Sequence, residues 1–168
     1  GGESLEETSQ RSNELFKNGV QTILDYSVEG EKSDPGFDAT RDEIIDTLEH
    51  AAKNDAVAFS AMKVTGVAHF EYLAANDANK ELSPEERASL ERSKGRFQAI
   101  CQRAFDLKQP VFVDAEESWI QRGIDRWTEE MMALYNKELP LVYHTVQLYR
   151  HDRLEYLRGL IQRSTGQG

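Results

Sequence analysis

Four short runs of apolar and β-branched residues recur along this chain, and each is followed by a stretch with helical spacing. The runs cover residues 20–26, 56–64, 110–114 and 140–147. Strands separated by helices cannot be joined as hairpins, so they run parallel, and continuous apolar strands imply that both sheet faces are covered. The pattern reads α(βα)4. Two architectures compete for it: half of an eight-stranded barrel, whose full form needs about 250 residues, and an open doubly wound sheet. No glycine-rich phosphate loop follows the first run, where a nucleotide-binding doubly wound domain carries one. The fold class expected is therefore α/β, a parallel (βα)4 half of a TIM-like (βα)8 barrel with a leading helix. The 168 residues make one partial domain, 1–168, ample for a core.

Local signals set the boundaries. A leading amphipathic helix spans 4–18, with Leu5, Leu15 and Phe16 on one side. Ser27-Val28-Glu29-Gly30 closes the first strand, and Asp34-Pro35-Gly36 reads as a turn before a helix from about residue 40. A short helix follows over 69–75. Ser83 as N-cap, Pro84 at the first helical position and Glu86 in a capping box open a long helix to about residue 108. Helices over 118–136 and 152–163 complete the pattern, and 164–168 read as a loop.

Composition removes whole classes of function. Twenty Lys and Arg against thirty Asp and Glu leave a net charge of −10, which disfavours broad nucleic-acid binding. No apolar run approaches a membrane span of about 18–20 residues. A lone cysteine, Cys101, excludes a disulfide framework and cysteine-rich metal sites, and its helical setting makes it inert packing. Gly1-Gly2-Glu3 carries no targeting signal and no initiator Met, so the chain reads as an excerpt.

In parallel α/β folds the chemistry collects at the C-terminal ends of strands. Asp25, Lys63, Asp114 and Gln147 stand there, with Glu116 and Glu117 just after the third strand. A lysine in an apolar strand is costly unless it is paired or functional, so Lys63 is either ion-paired with Asp25 or Asp114 or bound to a ligand. Asp114 has structural alternatives too, as a helix N-cap or a loop carboxylate. Asp114, Glu116 and His144 together are an alternative metal set, but no second His stands at ligand spacing. His144 otherwise reads as a packed, hydrogen-bonded strand residue, His50 and His69 as surface or helix residues and His151 as a loop residue. Ser27 and Ser60 lack the Gly-x-Ser-x-Gly elbow of a serine hydrolase. Trp119, Trp127, Met131 and Met132 are expected in the core.

Three segments go further. Ile23-Leu24-Asp25-Tyr26-Ser27-Val28-Glu29-Gly30, then Val113-Asp114-Ala115-Glu116-Glu117-Ser118-Trp119-Ile120-Gln121, then Tyr143-His144-Thr145-Val146-Gln147-Leu148-Tyr149 with Asp152-Arg153-Leu154 resemble the proline dehydrogenase family of flavoenzymes. Their order and spacing are similar to the first four strands of that family's distorted barrel, over essentially the whole chain. The resemblance implies oxidation of L-proline to Δ1-pyrroline-5-carboxylate, with FAD as cofactor and a membrane quinone as electron acceptor. It implies that Lys63 holds the proline carboxylate and that Asp114, the candidate catalytic residue, sits in the polar network near flavin and substrate. Gln147 would contact the isoalloxazine ring, and Thr145 and Val146 would line the flavin side of strand four. No resident metal is implied.

The family's strand-five Arg-Gly-Ala-Tyr-like segment and its carboxylate-clamping arginines on the last helix have no counterpart here. The chain is therefore expected to be a truncated N-terminal half-barrel, inactive alone and self-associating through its open edges. The runner-up reading is a non-catalytic α/β interaction module. The expected setting is cytoplasmic, with peripheral contact at an inner membrane, or mitochondrial in a eukaryote.

Overall fold

The expected alternation is present in a computed structural model, which describes residues 5–26 and 30–165. The elements are α1 (Leu5–Phe16), β1 (Thr22–Asp25), α2 (Asp34–Ala51), β2 (Val57–Met62), a 3-10 turn (Val64–Gly66), α3 (Phe70–Asp77), α4 (Pro84–Leu107), β3 (Val111–Val113), α5 (Gln121–Tyr135), β4 (Val142–His144) and α6 (Arg153–Thr165). The strands form one parallel sheet in the order β1-β2-β3-β4. That order decides between the two architectures. Right-handed crossovers that always advance in one direction put every connecting helix on the same face, whereas a doubly wound sheet reverses its order partway. The chain is one arc of a barrel wall.

The core lies between that face and the helices. Met62, Val111, Val113 and Val142 from the strands meet Ile44 and Leu48 of α2, Phe97, Ile100 and Cys101 of α4, and Ile124, Trp127 and Met131 of α5. Residues alternate across a strand, so the other face carries Phe59, Phe112 and Tyr143. The Phe59 and Phe112 rings stack at 4.4 Å, and Tyr143 meets them edge-on at 5.2 and 5.3 Å. These three rings are only half-buried, and Ile23 on β1 is 53% exposed. The expectation that both faces are covered is thus met on one face only. The apolar runs are explained by a barrel interior instead.

Register places the strand ends. Met62, Val113 and His144 stand side by side across β2, β3 and β4. One residue on, the Asp114 N–H donates to the Met62 carbonyl (2.9 Å) and the Thr145 N–H to the Val113 carbonyl (3.1 Å). Lys63, Asp114 and Thr145 therefore leave the sheet at one level, with the parity of the aromatic face.

Several boundaries differ from the sequence reading. Asp34-Pro35-Gly36 is the first turn of α2, not a turn before it: Ser33 is the N-cap and its Oγ accepts from the Gly36 N–H at 3.1 Å. A proline at a helix start and a proline in a turn look alike, because both use its fixed φ. The capping box of α4 forms as expected, with the Ser83 N–H donating to Glu86 Oε2 (2.8 Å) and the Glu86 N–H to Ser83 Oγ (3.2 Å). Helix α5 starts at Gln121 rather than Ser118, since Ile120 offers no side-chain cap. Asp77 of α3 supplies one, accepting the Gly123 N–H at 2.8 Å and pairing with Arg126 at 3.0 Å.

Trp119 is 58% exposed, its ring edge-on to Phe70 at 6.4 Å, and Leu15 and Phe16 of α1 are 45% and 44% exposed. These are corrections to expected burial. Among the described side chains of α1 the buried one is Ser12, whose Oγ accepts from Thr22 on β1 at 2.7 Å. Ser164 and Thr165 are helical rather than loop. The Leu5 side chain, Ser27, Val28, Glu29 and residues 166–168 lie outside the described residues.

Candidate active site

A cleft of roughly 940 Å³ opens at the C-terminal ends of the strands. Each of the four strand-to-helix connections contributes wall: Lys32 after β1, Lys63 and Phe70 after β2, Glu116 after β3, and Gln147 and Arg150 after β4. The sequence reading placed Lys63 and Gln147 at strand ends, and the fold brings both to this cleft. Asp114, Thr145 and Val146 do not line it. They are half-buried on the strand ends beside it.

Asp25, Lys63 and Asp114 share one electrostatic environment. Burial pushes the Asp114 carboxyl above its ordinary value, the Asp25 carboxylate pushes it further, and the Lys63 ammonium pulls it back. Burial and the like charge of Asp25 therefore make the Asp114 carboxyl hold its proton more tightly than usual.

Glu116 joins three of the connections. Its Oε1 accepts the Thr65 backbone N–H at 3.1 Å, and its Oε2 accepts the Thr65 hydroxyl. Its backbone N–H donates to Gln121 Oε1 at 2.7 Å, and its carbonyl accepts from Gln147 Nε2 at 2.9 Å. Burial pushes the Glu116 carboxyl up, and the Thr65 bonds offset only part of that. Gln147 in turn accepts from Arg150 Nη1 at 3.4 Å, while Arg150 is held by Asp152 at 2.7 Å.

Behind the cleft the network continues into the helix layer. Gln121 Nε2 donates to Asp125 Oδ1 at 2.8 Å, and Asp125 takes two bonds from Arg153, at 2.7 and 2.8 Å. His144 Nε2 also meets Asp125 Oδ1, at 2.9 Å. The Arg153 guanidinium lies 3.9 Å from the Tyr156 ring centroid, and the Tyr156 hydroxyl donates to Glu129 at 2.9 Å. Burial acts to raise Asp125, yet His144, Arg153 and Gln121 together hold its carboxyl below the ordinary value.

This corrects the alternative metal set. His144 Nε2 is bonded to Asp125, so it does not join Asp114 and Glu116, and among the described residues no three His, Cys, Asp or Glu are grouped to hold a metal. The reading of His144 as a packed, bonded histidine is the one the fold supports. Sequence reasoning missed Gln121, Asp125 and Arg153. The signal was available: Gln121, Asp125 and Thr128 sit at helical spacing on the buried face of α5 beside Ile124 and Met131. Cys101 is fully buried, which pushes its thiol pKa far up and leaves it unreactive.

The family model described as proline dehydrogenase matches residues 8–168. Among curated proteins, the carbapenem antibiotics biosynthesis protein CarD of Pectobacterium carotovorum subsp. carotovorum is 29% identical over 164 residues, covering 98% of this chain and 44% of that protein. Proline dehydrogenase 1, mitochondrial, of Dictyostelium discoideum is 29% identical over 203 residues, covering 99% and 36%. The chain thus spans less than half the length of either relative. Among solved structures, proline utilization A from Bdellovibrio bacteriovorus, inactivated by N-propargylglycine, superposes with a TM-score of 0.81 at 16% identity. That match covers 99% of this chain and 18% of the other, and at this identity it shows the fold alone.

Proposed function

The chain belongs to the proline dehydrogenase family, and on that premise we propose that it builds the first half of a barrel that oxidises L-proline to Δ1-pyrroline-5-carboxylate. The observation that carries this reading is the strand-end cleft, where Lys63 and Gln147 stand in one wall. Three cations, Lys32, Lys63 and Arg150, line the cleft beside four carboxylates, Glu31, Glu71, Glu116 and Glu117. Lys32 and Arg150 would serve the anionic groups of FAD, Gln147 would offer an amide, and Ala68, Phe70 and Ala115 an apolar wall for its ring system. When bound, FAD would supply the hydride acceptor.

The protein's own part is placement. Lys63 offers a charge-assisted contact to the proline carboxylate and so orients the substrate ring. Asp114 balances that cation and belongs to the same polar patch. Gln147, pinned by Glu116 and Arg150, presents a fixed amide toward the flavin, and Thr145 and Val146 form the adjacent strand end. A membrane quinone as final acceptor, peripheral attachment to an inner membrane, and a cytoplasmic or mitochondrial setting belong to this reading. The eukaryotic relative's printed name supports the mitochondrial case for that protein. Among the described residues no helix is long and apolar enough to cross a membrane.

Anaerobic addition of L-proline to the flavin-loaded protein with a closed barrel tests the reading. Bleaching of the flavin's visible absorption, with product trapped as a pyrroline adduct, is the expected result. Flavin that stays oxidised at saturating proline overturns it.

A further inference from the structure

Lys63 and Gln147 lie on different connections, with no bond between them, yet the proposed chemistry requires substrate and flavin to keep a fixed separation. One residue touches both connections. The Glu116 carboxylate grips the backbone N–H and the hydroxyl of Thr65, two residues after Lys63. Its carbonyl receives Gln147 Nε2, and its N–H is fixed by Gln121, a side chain only 1% exposed. Gln121 is anchored in turn on Asp125, which Arg153 of α6 clamps with two bonds. A half-buried carboxylate at a cleft wall, with no cation bonded to it among the described residues, is expensive unless its acceptor bonds do something.

We propose that Glu116 is a positioning residue that sets the Lys63 connection against Gln147, and so fixes the substrate's place relative to the flavin; this rests on the function proposed above. The side chain acts on the β2 connection and the main chain on the β4 connection. Loss of the carboxylate frees the segment after β3 to shift, and the carbonyl that orients Gln147 shifts with it. A bystander brace would contribute only stability.

The test uses the flavin-loaded, closed-barrel enzyme in four forms: wild type, Glu116→Gln, Glu116→Ala and Thr65→Val. Proline kinetics, the flavin absorption spectrum and thermal unfolding are read together. Glu116→Ala is expected to raise KM for proline about 10-fold, the size of one lost charge-assisted bond, and to shift the flavin spectrum. Glu116→Gln keeps an acceptor oxygen toward Thr65 and all main-chain bonds, so it is expected to restore both readouts to near wild type. Thr65→Val removes one bond on the substrate side and is expected to raise KM while leaving the spectrum unchanged.

A Glu116→Ala enzyme that melts earlier but keeps wild-type KM and spectrum overturns the proposal. So does a Glu116→Gln enzyme as impaired as Glu116→Ala. Should Glu116→Ala fail to fold, Thr65→Val decides, and an unchanged KM there overturns it. Failure of the underlying function is separately visible, because the wild-type flavin then does not bleach with proline.

Discussion

Two acidic clusters lie on opposite sides of the same strand ends, and they obey opposite rules. Asp125 is enclosed by Arg153, His144 and Gln121, with side-chain exposures of 6% for Asp125, 3% for Arg153 and 2% for His144. Every acceptor oxygen has a donor, and the carboxyl sits below its ordinary value despite burial. Asp114 is half-buried, feels the like charge of Asp25 and the opposite charge of Lys63, and sits above its ordinary value. In one cluster the carboxylate is fully bonded, although His144 Nδ1 and Arg153 Nε have no partner; in the other, burial and a like charge hold the carboxyl up. The Asp125 cluster holds α5, β4 and α6 together; the Asp114 cluster stands beside the cleft. Residue type alone does not separate them, since both contain Asp and a cation. Pairing does.

The largest expected effect breaks the Asp125 cluster. Arg153→Ala leaves Asp125 buried without its main partner and is expected to cost about 3–5 kcal/mol in urea unfolding. A cost under about 1 kcal/mol, the size of an exposed pair, would erase the distinction. Its pH signature follows from sign. Because the folded Asp125 value is lowered, its contribution is complete above the unfolded value of about 3.9 and is lost as pH falls through the folded value. Asp125→Asn should therefore flatten acid unfolding in that window.

Next in size, Lys63→Met in the closed-barrel enzyme is expected to weaken proline binding about 10- to 100-fold, or 1.5–3 kcal/mol, with flavin retained. Flavin release with unchanged proline affinity would reverse the roles given to Lys63 and Gln147. Gln147→Ala removes one bond to the Glu116 carbonyl and is expected to cost about 1 kcal/mol and to perturb the flavin spectrum with the fold intact. The smallest effect carries the opposite sign. The raised folded value of Asp114 means that its ionisation opposes folding once pH rises past the unfolded value, so Asp114→Asn should stabilise the protein at pH 7. Solvent screening keeps that gain below about 1 kcal/mol, readable as a small rise in Tm, while activity falls.

The barrel arc was legible in the sequence because strand and helix periods differ and because the capping box of α4 is a local motif. The level of Lys63 and Asp114 was legible for the same reason: strand ends are where apolar runs stop. The start of α5 was not, since its cap comes from Asp77, more than forty positions earlier. Nor was the exposure of Trp119, because an aromatic near a helix start carries no mark of which side it faces. The roles of Glu116 and Gln121 depend on main-chain bonds between connections. No spacing rule encodes a carbonyl's direction.

The strand order has a consequence for how the chain is made. Each strand pairs with its immediate predecessor, so every new βα unit meets a docking surface already synthesised. Assembly can proceed from the N-terminus as the polypeptide emerges, with modest loop closure at each step. The growing edge is always the newest strand, first β2, then β3, then β4. A ribosome-stalled series ending after successive helices should show protease protection gained in those same steps.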